Sequence, residues 1–358
     1  MSTPLSLRRA GTALVASALS LSLVGAGGAA QAAPAGNAAH WLAKQPTHGV
    51  IVSSGFPDYG LSIDTAFSLL AIGGHGADVR KIRDAVEQNV GDYISGDSFG
   101  DPGSTYAGAT AKALVLAQTT GSNPGDFGGV NLVGRLTAHI NKAGPAVGRI
   151  ADQSTFGDFA NVVGQILAVR GLTTAKSGQA GHARSFLLKQ QCRQGYFRLN
   201  FSQAASAHQS CGKKSPADPD TTSYAVIQLW KVSKGSPALR VALKHAVAWL
   251  AKQQRKTGAF IGGTTTAFPN ANSTGLAAVA LGLVGHCSAA KSAARWVSGL
   301  QVGAVKSGSP LAGQRGAIAY RPGGLKHAMV HGITASKLDQ WRRATSQSAP
   351  SLLLRHGC

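Results

Sequence analysis

Two aspartates separated by one proline form the stretch of the chain best suited to acid chemistry, Asp218-Pro219-Asp220-Thr221-Thr222. A carboxylic acid donates a proton near neutral pH only if a dry pocket raises its pKa and keeps it protonated. Asp220 would be that acid and Asp218 its neighbour. Aspartate and threonine also accept hydrogen bonds from free backbone N–H groups at helix starts. This capping interpretation fits better, because similar stretches precede other predicted helices, at Ile63-Asp64-Thr65 and Asn272-Ser273-Thr274.

Other catalytic patterns are missing from the sequence. The eleven histidines form no HExxH motif, and no Gly-rich phosphate loop follows a predicted strand. A carbohydrate-cleaving site would need paired carboxylates in a cleft, and the spacing pairs none of the candidates. The cysteine spacings are unlike those of zinc sites, so we predict no metal site, and the residues identify no cofactor. The candidate carboxylates are Asp64, Asp152, Asp158 and Asp220.

The elements that must position these side chains are helices in a repeated order. A helix end, a Gly-x-Phe turn, a loop and a small-residue helix follow one another between Trp249 and Leu283. The interval from Gly49 to Thr65 equals that from Gly258 to Thr274, sixteen residues in each case. A repeat of this period indicates stacked supersecondary units. We count six helical hairpins and expect threonine to begin the second helix in five of them.

Six hairpins of this composition favour a closed ring. The first helix of each pair is amphipathic, and the second is rich in alanine and glycine, which permits close approach at a crowded centre. We therefore predict an all-α fold, an (α/α)6 toroid, as one domain over residues 38–358, with residues 33–37 as a short linker. An open superhelix of helix pairs is the alternative.

In such a ring the starts of the inner helices share one mouth, and polar and aromatic residues would converge there on a ligand. Tyr224 and Trp230 are expected as aromatic walls. The other predicted ligand-binding residues are Tyr59, Asp64, Thr222, Asn270, Asn272, Thr274 and Thr345, beside Asp218 and Asp220.

The N-terminal 32 residues have the pattern of a secretory signal peptide. A pair of arginines, Arg8-Arg9, precedes an apolar run and an Ala30-Gln31-Ala32 cleavage site. A membrane anchor is the alternative, but the run is shorter than the roughly 20 residues that a span needs. No later segment is apolar enough to span a membrane, so we expect a secreted, extracellular or wall-associated protein.

Export makes disulfides favourable for the four cysteines. Four cysteines allow three pairings. Local closure favours Cys192 with Cys211. Cys287 and Cys358 each lie thirteen residues after a predicted helix-opening threonine, which would put their sulfurs at the same end of neighbouring helices.

The charge of the chain favours anionic partners. The net charge of +21 becomes +19 without Arg8 and Arg9, and such an excess attracts polyanions. The basic residues are scattered rather than clustered with aromatics, which disfavours nucleic acid. An anionic cell-wall polymer is the better candidate.

The repeats resemble the α/α-toroid superfamily, which includes terpenoid cyclases, protein prenyltransferase β-subunits and the cobalamin carriers. The Gln-x3-Gly-x-Phe element is similar to the QW motif of triterpene cyclases, with phenylalanine in place of tryptophan. In style the chain is closest to exported bacterial toroid proteins of unassigned activity. The matching elements are Trp41 to Gln45, Trp249 to Gln253, Gln191 to Phe197, Gln254 to Phe260 and Asn272 to Ala277.

The resemblance implies different functions within one fold. Class II terpene cyclases protonate an alkene or epoxide with the middle acid of Asp-x-Asp-Asp, which corresponds to Asp220, although Thr221 replaces the final aspartate. No cysteine and histidine set matches the prenyltransferase zinc site. The cobalamin carriers hold their ligand at the mouth. We predict a non-catalytic secreted binder of a small or extended polymeric ligand, with a terpenoid-cyclase-like enzyme as the alternative.

Overall fold

The computed structural model describes residues 29–263 and 266–358, so most of the predicted signal peptide (residues 1–32) lies outside the described residues. The described residues form fourteen α-helices and one antiparallel hairpin of two strands, β1 (Ile51–Ser53) and β2 (Phe56–Asp58). The helices are α1 (Ala29–Ala43), α2 (Tyr59–Ile72), α3 (Gly76–Gln88), α4 (Val90–Ile94), α5 (Ala107–Thr120), α6 (Leu132–Ala138), α7 (Val162–Thr174), α8 (Ala180–Lys189), α9 (Pro219–Leu229), α10 (Pro237–Gln253), α11 (Ala271–Leu283), α12 (Cys287–Ser298), α13 (Pro322–His331) and α14 (Ala335–Ser348).

The helices form a closed double ring. The inner helices α2, α5, α7, α9, α11 and α14 each contact the next, and α14 contacts α2. The outer helices are α1, α3, α6, α8, α10 and α12. A 3-10 segment after α14, Ala349–Leu354, packs against both α1 and α12. The predicted all-α (α/α)6 toroid is therefore confirmed, and the open superhelix is not the arrangement found.

Small residues let the inner helices approach closely. The Cα of Gly108 on α5 lies so near α7 that a Cβ added to Gly164 would be 3.0 Å from it. A larger residue at either position would separate the helices, because closely packed interiors have little spare volume. The alanine- and glycine-rich composition of the inner helices thus sets the diameter of the inner ring.

A buried hydrogen bond joins the turn of five hairpins to the inner helix that follows. In the fourth hairpin the backbone N–H of Phe197 donates to Thr222 Oγ1 at 2.9 Å, and that hydroxyl donates to the Asp218 carbonyl. Buried backbone N–H groups need such partners. The other four bonds run from Ile51 to Ser62, from Ile150 to Gln165, from Phe260 to Thr274 and from Ile318 to Thr345.

The glycine of the same turn packs against the next outer helix. Gly195 has φ +108°, and a Cβ there would be 2.6 Å from the His245 carbonyl oxygen of α10. Glycine is required for this conformation and this close approach. Gly316 of the last hairpin, with φ +101°, packs in the same way against Asn37 of α1, so the final joint of the ring connects the sixth hairpin to the first.

Side-chain contacts reinforce this closure. Trp41 Nε1 donates to Gln314 Oε1 at 2.8 Å, and Gln301 Nε2 donates to the Pro34 carbonyl at 2.8 Å. The two disulfides have the predicted pairing: Cys192–Cys211 with Cα atoms 5.0 Å apart, and Cys287–Cys358 with Cα atoms 5.1 Å apart. The second links the start of α12 to the segment that follows the inner ring.

Three sequence expectations need correction. Residues 33–37 are not a linker but part of α1, because Ala35 is buried in the core and the Pro34 carbonyl accepts the hydrogen bond from Gln301. Ser62, not Thr65, is the counterpart of Thr274, since Ser62 accepts the turn N–H of its hairpin. Thr345 does not begin a helix, because α14 starts earlier, at Ala335.

No helix in the described ranges is both long enough and apolar enough to cross a membrane.

We expect Gly316→Ala to lower the free energy of unfolding by ~2–4 kcal/mol, because the left-handed backbone disfavours alanine and the Cβ would overlap the Asn37 carbonyl. Urea denaturation measures this change. The control is Gly181→Ala in α8, where an added Cβ would meet only the end of the Arg184 side chain, at 4.0 Å, and should stabilise by ~0.5–1 kcal/mol. Equal effects from the two substitutions would contradict the closure.

Candidate functional site

The mouth of the toroid, meaning the end at which the inner helices begin, carries capped helix starts. Asp58, Asn161, Asp218 and Asn270 cap α2, α7, α9 and α11, each side-chain oxygen accepting a backbone N–H of the first turn. In four hairpins the cap lies four residues before the side chain that accepts the turn N–H. The sequence interpretation of Ser273 and Asp64 as caps is therefore wrong, since Asn270 and Asp58 cap those helices.

The two aspartates of the acidic stretch have different environments. Asp218 is the cap of α9, and its Oδ1 accepts the N–H of Thr221 at 2.7 Å. Asp220 lies in the first turn but caps nothing. Its Oδ1 is buried and accepts no hydrogen bond from the described residues. The capping interpretation thus holds for Asp218 and not for Asp220.

Burial raises the pKa of Asp220 to about 7. An interaction with the Ser273 hydroxyl lowers this pKa, and the nearby Asp218 carboxylate raises it. The cost of moving a carboxylate out of water favours the protonated form, and a neighbouring negative charge adds to the effect. Asp220 therefore has the property that a proton donor at neutral pH requires.

Three inner helices contribute an ion pair and a tyrosine that interact with one another. Lys112 of α5 pairs with Asp64 of α2, with Nζ and Oδ1 2.6 Å apart, and also donates to the Gly60 carbonyl. Burial and then the Asp64 carboxylate raise the pKa of Tyr224. Since α2 and α9 are not neighbours in the ring, an interaction of Asp64 with Tyr224 crosses the centre.

Tyr93 of α4 approaches the same group from the connection between α3 and α5. Burial, followed by the charges of Asp64 and then Tyr224, raises the pKa of Tyr93. Its ring also lies 6.1 Å from that of Tyr59, measured between centroids. The mouth therefore leads to a small group of aromatic and charged side chains, with Tyr224 one helical turn beyond Asp220 on the same face of α9.

The remaining predicted site residues serve other roles. Thr222, Thr274 and Thr345 are completely buried and accept the turn N–H groups described above. Asn270 is a buried cap, and Asn272 donates to Gln347 at 2.7 Å.

Trp230 does not line the mouth, so that prediction is wrong. It caps the far end of α9, about 16 Å from the start of an 11-residue helix, and contacts Arg240.

The sequence interpretation missed Lys112 and Tyr93 and treated Ser273 only as a cap. Lys112 lies one turn after Gly108 in a helix that is rich in small residues. A lysine in such a helix indicates a polar contact inside the ring and could have been recognised as a candidate site residue. Tyr93 lies in the short helix α4, which begins after the chain breaks at the end of α3. No local pattern would have placed Tyr93 beside Tyr224.

Exposed apolar side chains surround the mouth. Of the ten large apolar residues that are exposed in the described ranges, nine lie in connections from an outer to an inner helix; Val241 on α10 is the exception. The nine are Val52, Phe56, Phe99, Phe156, Phe159, Phe268, Val305, Met329 and Val330.

A cavity of about 510 Å³ opens beside α9, between the start of that helix and the segment 198–216 that precedes it. Asp218 lines this cavity. Over residues 29–263 and 266–358, no group of three or more His, Cys, Asp or Glu side chains is arranged to hold a metal ion.

Comparison with known proteins identifies the fold. No protein-family model and no curated protein sequence matches the chain. Among solved structures, the type II terpene cyclase MstE from Scytonema superposes with a TM-score of 0.59 at 15% identity, covering 90% of this chain and 97% of that one. A protein from Actinoplanes has a TM-score of 0.59 at 15% identity, with 91% and 99% covered.

An unsaturated glucuronyl hydrolase specific for heparin is similar to the same extent, with a TM-score of 0.59 at 13% identity, 91% of this chain and 96% of that chain being covered. MstE and the hydrolase are enzymes, so these similarities lend no support to the prediction of a non-catalytic binder. They confirm the suspected resemblance: the chain has the α/α-toroid fold that terpene cyclases and the glucuronyl hydrolase share.

The raised pKa of Asp220 predicts a pH-dependent stability. Between its usual pKa of 3.8 and its raised value of about 7, the folded protein binds more protons than the unfolded chain, so stability falls as pH rises through this window. Asp220→Asn removes the titration, and its stability relative to wild type should increase by up to ~4 kcal/mol from about pH 4 to about pH 8. Urea denaturation at both pH values measures this.

The control for this measurement is Asp126→Asn, at an exposed aspartate, which should follow the wild-type profile. A constant difference between wild type and Asp220→Asn across the pH range would mean that Asp220 is ionised at neutral pH, and the prediction would be wrong.

Proposed function

We propose that this protein is a toroid enzyme in which Asp220 donates a proton to an alkene or epoxide of an isoprenoid substrate, in the manner of a type II terpene cyclase. One observation supports the proposal above all others. Asp220 is a half-buried residue at the mouth whose Oδ1 is buried and unpartnered and whose pKa is raised to about 7. A group of this kind is unfavourable for folding alone, because a buried polar atom without a partner costs stability.

The neighbouring aspartate has a supporting role in this mechanism. Asp218 is held by its bond to the Thr221 N–H, so its carboxylate is fixed at the positive end of α9. Its charge favours the protonated form of Asp220 before transfer and opposes loss of the proton to water. Thr221 supplies a backbone N–H where the cyclase motif has its last aspartate.

Proton transfer breaks the Asp220 O–H bond, forms a C–H bond and leaves a carbocation, which the site must stabilise. Ring closure and loss of one proton, to water or back to the Asp220 carboxylate, then give a neutral cyclic isomer and restore the acid. Tyr224 lies one helical turn beyond Asp220, and Tyr93 faces it from α4. Aromatic ring faces attract cations by their electrostatic quadrupole. The Asp64 carboxylate adds a negative charge nearby, although its pairing with Lys112 moderates the field.

The surroundings of the mouth suit an apolar substrate. The exposed phenylalanines described above lie in the connections through which a hydrocarbon would enter. Among the solved structures with this fold, MstE has been determined with geranylgeranyl dihydroxybenzoate as its substrate, a molecule that carries an isoprenoid chain. The similarity of fold is compatible with the proposal, and Asp220 is the feature that favours proton donation over the other reactions found with this fold.

We also propose that the protein acts outside the cytoplasm. Two disulfides favour an oxidising compartment, and the first 32 residues have the pattern of a signal peptide. In that location the basic surface would attract anionic wall polymers, an attraction that added salt should weaken.

The catalytic role of Asp220 is tested by incubating the protein with linear isoprenoids, as geranylgeranyl diphosphate and geranylgeranyl dihydroxybenzoate, and analysing the products by gas chromatography and mass spectrometry. Wild type should form cyclic isomers, and Asp220→Asn should reduce the rate by ~10²–10⁴-fold, the usual contribution of a general acid. Asp126→Asn should retain the wild-type rate. Cyclisation that survives in Asp220→Asn would assign the proton donor elsewhere.

Export is tested by the intact mass of protein recovered from the culture medium. We expect a chain that begins at Ala33 and is lighter by four hydrogen atoms, two for each disulfide. Retention of the full-length chain inside the cell with reduced cysteines would contradict export.

A further inference from the structure

The cavity beside α9 is built by a braced insertion. Residues 198–216 leave the Gly-x-Phe turn of the fourth hairpin and return to the cap of α9, and the Cys192–Cys211 disulfide ties Cys211 of this segment to Cys192, which lies just before the turn. The segment and Asp218 line the cavity of about 510 Å³, which is open to solvent on one side. We call this space the insertion cavity.

A buried cation without an acidic partner lies in the wall of the insertion cavity. Arg198 is only 7% exposed. Its Nε and Nη2 donate to Gln190 Oε1 at 2.9 and 2.7 Å, and Nη2 also donates to the Gln209 carbonyl at 2.8 Å. All of these acceptors are neutral, and no described carboxylate lies within ion-pair distance of the guanidinium.

The Arg198 guanidinium therefore has a positive charge that no carboxylate neutralises and one N–H group that is available to a ligand. Arg198 Nη1 makes no hydrogen bond to the described residues and is not among their buried unpartnered atoms, while the side chain lines the cavity. Removing a cation from water without a counterion is costly, and the cost is offset when an anion binds. Guanidinium groups bind phosphate and carboxylate strongly through charge-assisted hydrogen bonds.

The rest of the lining adds donors and a second cation. Lys214 and His208 face the cavity, with the hydroxyls of Ser202, Ser210 and Ser215. The one acidic residue of this lining is Asp218, whose charge is partly offset by the start of α9 and by the Thr221 N–H. A group with many acceptor oxygens and more than one negative charge matches these donors better than a single carboxylate does.

We propose that the insertion cavity binds the diphosphate group of an amphiphilic substrate, so that the organic chain of that substrate passes Asp218 towards Asp220. This inference rests on the proposed function for the identity of the chain, but the anion site itself does not. Asp218 lines the cavity and lies two residues before Asp220 in the chain. The apolar side chains of Leu199 and Phe201 in the same lining would contact the first carbons of the chain.

The test begins with titration calorimetry of inorganic pyrophosphate into the disulfide-intact protein. We expect saturable binding, about threefold to tenfold weaker in Lys214→Gln, since one charge-assisted contact is lost. The matched control is Lys213→Gln, at an adjacent exposed lysine outside the lining, which should bind as wild type does. No saturable binding up to ~10 mM, or equal weakening by both substitutions, would overturn the proposal.

A second variant addresses Arg198 itself. Arg198→Lys keeps the charge but loses the fork of donors, so it should weaken pyrophosphate binding by about tenfold or more. Circular dichroism and thermal melting would establish that the insertion remains folded. Unchanged affinity in a folded Arg198→Lys variant would exclude this arginine from the site and count against the proposal.

Two further experiments test whether anion binding is independent of Asp220 and whether the bound anion is part of the substrate. Asp220→Asn should bind pyrophosphate with wild-type affinity, so that loss of turnover in this variant does not affect the anion site. With geranylgeranyl diphosphate, Lys214→Gln should raise KM by about threefold to tenfold and change kcat by less than about twofold. An unchanged KM alongside weakened pyrophosphate binding would mean that the cavity binds free anions and not the substrate.

Discussion

The backbone N–H of each Gly-x-Phe or Gly-x-Ile turn, bound to one polar side chain of an inner helix, is the interaction on which the toroid depends. The acceptors Ser62, Gln165, Thr222, Thr274 and Thr345 differ chemically but make the same contact with the turn; the first four lie one turn into the inner helix, and Thr345 lies further along α14. Each bond fixes how far the turn extends over its own helix, and the glycine two residues earlier fixes how closely it packs against the next hairpin. The turn thus fixes both the packing of the two helices within a hairpin and the packing of that hairpin against the next.

This hydrogen bond between the turn and the inner helix explains which features were predictable from the sequence. The Gly-x-Phe turns and the small-residue helices indicated six hairpins and a closed ring, because both are local patterns. The equal interval that suggested Thr65 was misleading, since the acceptor is defined by its contact with the turn and not by residue type. Threonine accepts this N–H in three hairpins, serine in one and glutamine in one, so no single residue type identifies the acceptor. The aspartate or asparagine cap four residues earlier would have been the better signal.

The candidate site was only partly predictable for a related reason. Asp218 and Asp220 were recognised together, but their separation into a cap and a buried acid depends on which carboxylate reaches the Thr221 N–H. Lys112 and Tyr93 reach the centre from elements that sequence patterns assign to packing or to the end of a helix. Trp230 was placed on the correct helix and at the wrong end, because aromatic residues mark neither end by themselves.

The small residues of the inner ring also leave space for polar side chains in its interior. Alanine and glycine fill little volume, so longer side chains such as Lys112, Tyr224 and Arg170 extend across space that the helices leave. Arg170, for example, donates to Gln228 and Thr119 on other inner helices. The composition that permits close helix packing therefore also allows charged side chains to extend into the interior of the ring.

Closure through Gly316 and Asn37 has a consequence for the way the fold fails. An open array of repeats can fray from its ends, because each terminal repeat has only one neighbour. A ring has no terminal repeat, so every hairpin is held on both sides and melting should be cooperative. Once a single joint opens, however, two complementary apolar faces become free at the same moment. A second opened copy could then insert between them, and the most accessible misfolded product would be an exchanged dimer of two half-open rings.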